Sequence, residues 1–404
     1  MGSPFKKIEV SVVYETKEPR NEITVNVLGV PMRFYKNQPR FVTIQQANIL
    51  KNFGVFKLSQ DANTQKSVPP EQWVKKILVA RTLHSLGDML YASVTPKALK
   101  RRYPMATITV TVPRRSMPLW FHHPWVDGLI AWDELDNAES YLKTRADLFY
   151  DITRPCVHWE GAHHPSHKSR IDIYAEHCGV TLPDDEKQPV YIITGNERAW
   201  AKEFTQGRHF LGIQLRSNSP DRNWQPTAQG QPIKQDKNKA LIKAWLDRHP
   251  KHYVAVFDEH AEDVKALGLP ADRIQVVAGH DMREMMAVLE RCFMTLTLNS
   301  GLLVASGAVG APALGLFGNM NPDARTGYLP GASAIWHPEH CDKQRSPCWG
   351  DCGANTCMSR ITVEEVLEAL EEKFKTRGLE KLEALRDCDE TIPGKNEKNG
   401  GLTE

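Results

Sequence analysis

Asp88 follows Gly87 a few residues beyond the apolar run Ile77-Leu-Val-Ala80 and stands at the start of a helical pattern. A carboxylate just past the carboxyl end of a buried strand stands where open α/β sheets bind ligands, and there it can take the proton of an attacking hydroxyl. The same position also suits a helix cap, so both readings stand. Asn299-Ser300-Gly301 comes between the strand pattern Met294–Leu298 and an apolar helix. Unbonded N–H groups and the helix dipole at such an end favour an anion such as a diphosphate; an ordinary strand-to-helix turn is the alternative. Arg222 lies two residues before Trp224. Its guanidinium could grip phosphate with two N–H groups and offset leaving-group charge without a divalent metal, or it could be a solvated loop residue. Asp258 and Glu259 end the strand Tyr253–Phe257 and could hold ribose hydroxyls, with Gly318 and Asn321 closing the pocket; surface acids are equally common there. These are the parts needed to move a group from a nucleoside diphosphate to a hydroxyl.

Other clusters carry less specific chemistry. Cys341, Cys348, Cys352 and Cys357 crowd half of the eight cysteines into one segment. Four thiolates suit a closed structural zinc site, although the spacing is not a pair of CxxC knuckles; reduced thiols or local disulfides are the other readings. His158, His163, His164 and His167 have poor ligand spacing and read as a solvated polar loop on the acceptor side. No acidic residue occurs from Met89 to Val126, where Lys97, Lys100, Arg101, Arg102, Arg114 and Arg115 gather close to Trp120, Phe121 and Trp125. Such a rim suits an anionic acceptor, a phosphorylated glycan or nucleic acid. A solvated helix face is the plainer reading.

The elements that must position these residues alternate along the chain. Residues 1–58 show period-two strand patterns at Ile8–Val12 and Ile23–Val27, a capping-box start at Thr43 for a short helix to Leu50, and a closing strand at Gly54–Leu58. Residues 59–74 are polar, turn-rich and end in prolines, as a linker does. From residue 75 buried-strand runs alternate with helices, which predicts parallel sheets with right-handed crossovers. The alternation restarts after residue 190, giving a lobe over 75–190, a second over 191–378 and a polar tail over 379–404. The class is α/β, with two Rossmann-like domains facing a cleft behind a small β-rich module. A chain of 404 residues accommodates that many units. Its 41% hydrophobic and 25% charged content is that of a soluble protein, and the net charge of +2 selects no partner. No apolar run reaches the ~20 residues of a membrane span, and the N-terminus lacks a signal core, so a cytoplasmic location is expected, with contact at a membrane surface still open.

The ordered set Lys76-Ile-Leu-Val-Ala-Arg81, Leu86-Gly-Asp-Met-Leu90, Pro124-Trp-Val-Asp127, Ser169-Arg-Ile-Asp-Ile-Tyr-Ala-Glu-His-Cys-Gly179, Ser219–Trp224, Gly279–Glu284, Asn299-Ser-Gly301, Leu316-Phe-Gly318 and Cys357–Val366 resembles glycosyltransferase family 9, the heptosyltransferase group, over residues 75–372. The resemblance implies a GT-B fold and transfer of a sugar, with inversion and without a catalytic cofactor, from an ADP-heptose-like nucleotide sugar to a glycan or lipid-linked glycan of surface lipopolysaccharide. It implies Asp88 as base and the N-terminal lobe as acceptor lobe; the basic rim on that lobe then makes Lys97, Arg101, Arg114 and Arg115 the expected acceptor contacts. The chain departs from the pattern where Asn299 replaces the usual acid, Val304 the usual histidine and Arg222 the usual lysine. Residues 1–70 lie outside the resemblance and are faintly similar to small bacteriophage modules. Two other functions therefore stay open: a phage-type transferase acting on hydroxymethylated bases in DNA, and an inactive relic serving as a binding module.

Overall fold

The computed structural model describes residues 7–14, 22–27, 30–35, 39–43, 50, 56–58, 67–68, 74–134, 145–163, 167–218, 222–225, 235–318, 320–338 and 356–391. Six short strands open the chain: β1 (Lys7–Tyr14), β2 (Glu22–Val27), β3 (Val30–Tyr35), β4 (Pro39–Thr43), β5 (Phe56–Leu58) and β6 (Ser67–Val68). β4, β5 and β6 each pair antiparallel with β1, and β2 pairs with β3. Ser67 and Val68, assigned above to the linker, instead pair with Ile8 and Lys7. Apart from Leu50, the body of the helix expected after Thr43 lies outside the described residues.

The first lobe contains β7 (Lys76–Ala80), α1 (Leu86–Ala92), α2 (Thr95–Arg102), β8 (Thr107–Val112), β9 (Gly128–Ala131), β10 (Leu148–Asp151), α3 (Pro155–Ala162) and α4 (Arg170–His177). Its sheet runs β10-β7-β8-β9, all parallel. Ile77 to Ala80 are buried, as a strand covered on both faces requires. The helical pattern that starts at Asp88 is split in two: the chain breaks at Ser93 and Val94, where Pro96 can begin a new helix but cannot continue an old one.

After α5 (Gly195–Phe204) the second lobe follows as β11 (Phe210–Gln214), α6 (Asp236–Arg248), β12 (Tyr253–Phe257), α7 (Ala261–Ala266), β13 (Ile274–Val277), α8 (Met282–Glu290), β14 (Cys292–Leu298), α9 (Gly301–Ala308), β15 (Ala313–Phe317), α10 (Asp323–Thr326) and β16 (Ser333–Trp336). The parallel order is β13-β12-β11-β14-β15-β16, and every residue of β14 is buried. The two parallel-sheet lobes agree with the expected class. Beyond them come α11 (Thr356–Arg360), α12 (Val363–Lys373), a π turn and α13 (Leu379–Thr391). The expected polar tail is thus helical to Thr391. Leu382 is buried, and Asp389 pairs with Arg291 at 2.9 Å.

The lobes are joined along α1 and α9. Leu302–Ala305 share one apolar core with Met89 and Leu90. A Cβ on Gly301 would stand 2.9 Å from Leu86 Cβ and 3.0 Å from Gly87 N, so the two helix starts approach as closely as they do only because both positions are glycine. Two polar clasps flank this contact. Arg283 of α8 donates to Pro118 O at 2.8 Å and Ile192 O at 2.7 Å, and Tyr328 donates to Asp172 at 3.0 Å.

Candidate functional site

Asp88 is the third residue of α1, whose N-cap Ser85 faces the Asp88 N–H. The cap is therefore Ser85, which leaves the Asp88 carboxylate for other work. It accepts from Arg81 Nη2 at 2.9 Å and from Arg170 Nη1. Arg170 in turn donates from Nε and Nη2 to the two oxygens of Glu160, each at 2.8 Å, and Arg325 Nη1 reaches Glu160 Oε1 at 2.8 Å. Glu160 is wholly buried, and Asp88 is 18% exposed. Burial alone would raise the Asp88 pKa, but Arg170 and Arg81 outweigh it and bring it to about 2. Burial likewise opposes ionisation of Glu160, and Arg170 and Arg325 hold it below the usual carboxylate range. Two carboxylates and three guanidiniums leave this cluster with one excess positive charge.

The second helix start, α9, touches the first through Gly87 and Gly301. Its N-cap Ser300 accepts from Leu302 N at 3.2 Å and donates to Gln214 Oε1 at 2.7 Å; the same oxygen accepts Leu298 N at 3.1 Å. Asn299 is 5% exposed, and its Nδ2 has no hydrogen-bond partner among the described residues. Arg222 donates to Asn299 O at 3.2 Å, which ties its loop to the end of β14. At the end of β12, Asp258 Oδ1 accepts Arg216 Nη2 at 2.6 Å and His260 N at 2.9 Å, while the buried Oδ2 has no hydrogen-bond partner among the described residues. Glu259 beside it accepts from Asn218 at 3.0 Å. The carboxyl edge of the second sheet thus holds buried polar atoms, Asn299 Nδ2 and Asp258 Oδ2, without partners among the described residues, and such atoms are costly unless something binds them.

Other expected site residues have different work. A Cβ on Gly318 would meet Met358 Cγ at 2.6 Å and Cys357 Sγ at 2.9 Å, so this glycine admits α11. Asn321 bridges the lobes by donating to His167, and its Oδ1 accepts Asp323 N at 2.9 Å. The basic stretch is partly paired: Lys97 and Arg101 share the one carboxylate of Glu186, Lys100 pairs with Asp127, and Arg114 pairs with Glu134. Arg115 is exposed and lies near His84, whose pKa is lowered by burial and then by Arg115 and Arg81. Cys357 is buried, whereas Cys341, Cys348 and Cys352 lie outside the described residues, among which no metal-holding cluster occurs. Among the described residues no helix is long and apolar enough to cross a membrane.

A pocket of about 780 Å³ opens at the carboxyl end of β7 and β10, lined by Thr82, Thr153, Arg154, His158, Trp159 and His177 among others. Arg81, which holds Asp88, also donates to Thr153 O at 2.8 Å, so one residue separates this pocket from the carboxylate's partner. His158, expected in a polar loop, lies on α3, and His163 just beyond its end stacks on Trp159 at 3.7 Å. Sequence reasoning missed Arg81, Glu160, Arg170, Gln214, Arg216 and Arg325 as site residues.

Residues 163–349 match the model of glycosyltransferase family 9 (heptosyltransferase). No curated protein matches the sequence. Among solved structures, the fold is shared with the ADP-heptose LPS heptosyltransferase II of E. coli (TM-score 0.52, 18% identity, 74% of this chain and 98% of that one). It is shared with a family 9 glycosyl transferase of Veillonella parvula (0.58, 17%, 74% and 97%). It is shared also with the dodecameric iron-containing heptosyltransferase TibC in complex with ADP-D-β-D-heptose (0.53, 12%, 92% and 92%), an enterotoxigenic E. coli protein.

Proposed function

From a chain that carries a glycosyltransferase family 9 domain on two parallel α/β lobes, we propose an enzyme that transfers a heptose-type sugar, with inversion, from an ADP-sugar to a glycan hydroxyl. The observation that carries this reading is the buried Asn299 Nδ2, without a hydrogen-bond partner among the described residues, next to the start of α9, which itself abuts the helix of Asp88; Asp258 Oδ2, two strands away on the same sheet edge, is a second such atom. In this reading the diphosphate lies on the Ser300 and Gly301 N–H groups with Arg222 alongside, and Asp258 takes a ribose hydroxyl. Asn299 offers an amide N–H to the sugar where a carboxylate would accept from it. The acceptor enters at the pocket beside Thr153. Asp88 takes its hydroxyl proton as the oxygen bonds to the anomeric carbon, and the bond to the diphosphate breaks with its electron pair leaving on phosphate oxygen.

A melting series with ADP, UDP and GDP tests the donor. A ligand that binds only the folded state at 100 times its Kd stabilises by about 2.7 kcal/mol, several degrees in a protein of this size. ADP is expected to raise the Tm selectively; an equal response to all three, or none, removes the ADP-sugar reading.

We also propose that Cys341, Cys348, Cys352 and Cys357 form a structural tetrathiolate centre. Thiolates favour zinc or iron, and one protein of the same fold is iron-containing. Elemental analysis of the purified full chain is expected to find one metal per chain, with visible thiolate-to-iron absorption if it is iron and none if it is zinc. Metal content unchanged in a Cys348→Ser/Cys352→Ser variant would exclude the centre.

A further inference from the structure

The groups that surround Asp88 come from several elements and from both lobes. Arg81 comes from the end of β7, Arg170 and Tyr174 from α4, Glu160 and Cys156 from α3, Tyr91 from its own helix and Arg325 from α10. From α9 the uncharged Gly301 and Val304 approach the preceding Gly87. Arg325 is bound at two points. Its carbonyl accepts the Tyr91 hydroxyl at 2.7 Å, one helical turn beyond Asp88, and its guanidinium takes Glu160. Arg325 is 6% exposed and Glu160 has no solvent contact, so their contact is sealed from water.

We propose that Arg325, a residue of the second lobe that makes no ion pair with Asp88, is a positioning residue for it. It fixes Glu160, Glu160 holds Arg170 by two parallel hydrogen bonds, and Arg170 holds Asp88 Oδ1. A fork-to-fork guanidinium–carboxylate pair transmits orientation as well as charge, because both partners are planar. The contact between lobes therefore sets the direction in which the carboxylate faces an incoming hydroxyl. Docking of α10 completes the site without adding a group that touches substrate. The inference rests on the reading of Asp88 as base, and the experiment separates the two.

The test is a double-mutant cycle on the full chain, with Arg325→Met and Asp88→Asn singly and together. ADP release from ADP-D-β-D-heptose with water as acceptor is followed. Arg325→Met is expected to lower kcat by about ten- to a hundred-fold with the KM for the nucleotide sugar unchanged, as a misplaced catalytic group does. It is expected to cost nothing further in the Asp88→Asn background. An equal loss in both backgrounds would show a general packing role and overturn the proposal, as would a wild-type kcat. Turnover undiminished in Asp88→Asn alone would instead refute the base. The same four proteins are melted in urea, a readout that needs no turnover. Independent sites add within a few tenths of a kcal/mol, so the double variant's shift is expected to fall short of the sum of the singles, and strict additivity rejects the relay. Arg325→Lys keeps the charge and an N–H donor for Glu160 but loses the planar fork. It is expected to restore most of kcat, and it replaces Arg325→Met in both cycles if that variant does not fold.

Discussion

Asn in place of Asp88 is expected to leave the fold and the donor site intact and to slow turnover by about 10²- to 10⁴-fold, the range for losing a positioned proton acceptor. The amide has the same shape and can still accept from Arg81 or Arg170, but it cannot take a proton at neutral pH. Steady-state kinetics with ADP-D-β-D-heptose check this: kcat falls and KM holds. A raised KM with intact kcat would make Asp88 a donor contact. The carboxylate's environment adds a pH signature. Arg170 and Arg81 bring its pKa to about 2, so no acid limb from Asp88 is expected above about pH 4. Its folded pKa lies below the ordinary aspartate value of 3.8, so its contribution of about 2 kcal/mol to stability is fully present above that value and is lost as pH falls toward 2. The gap in stability between wild type and Asp88→Asn is therefore expected to close over that window in acid unfolding.

A low pKa also weakens a base, and the cluster's excess positive charge would oppose protonation of Asp88 if that step stood alone. In the proposed reaction it does not stand alone. Negative charge develops on the diphosphate at the start of α9 while the proton moves to α1, and Gly87 and Gly301 hold these two helix starts in contact. The guanidinium cluster and the amides of α9 thus act on one charge movement from both ends, which is the arrangement that preorganised electrostatics favours.

The local half of this site is legible in the sequence. Gly87-Asp88 and Asn299-Ser300-Gly301 follow buried strand runs, and their position at sheet edges comes from the βα alternation alone. The pairings are not legible, because they join distant segments. Arg170 reads as the start of a helix, yet its partners are 10 and 82 residues away. The acid-free stretch from Met89 to Val126 suggests a basic surface, but Asp127, Glu134 and Glu186, which pair with four of its cations, come from beyond the stretch. Local charge counts cannot register partners that only the fold supplies. The C-terminal helix fails differently. Leu379, Leu382 and Leu385 recur at helical spacing among charged residues, a usable signal that high polarity masks. Residues Asp389 and Leu382 then anchor it to the second lobe.

Removal of the Glu160 carboxylate is expected to be the most damaging single truncation in the cluster. Glu160→Ala would leave Arg170 and Arg325, 15% and 6% exposed, with two fewer negative oxygens in a place water does not reach. Breaking one side of a buried ion pair costs about 3–5 kcal/mol, because the surviving charge is stranded. In a protein of this size that is roughly 4–6 °C in Tm. Burial works against the ionised Glu160, and Arg170 and Arg325 hold its pKa below the unfolded value. The penalty is therefore full at neutral pH and shrinks as acid protonates the wild-type group. Glu160→Gln keeps an acceptor for one guanidinium and is expected to fall between. The control is Glu134→Ala, which breaks the pair with Arg114, where the partners are 47% and 71% exposed. That surface pair is expected to cost under about 1 kcal/mol. Comparable losses at positions 134 and 160, measured by differential scanning calorimetry, would mean that the buried cluster is not what holds the first lobe's α3 and α4 against α10 of the second.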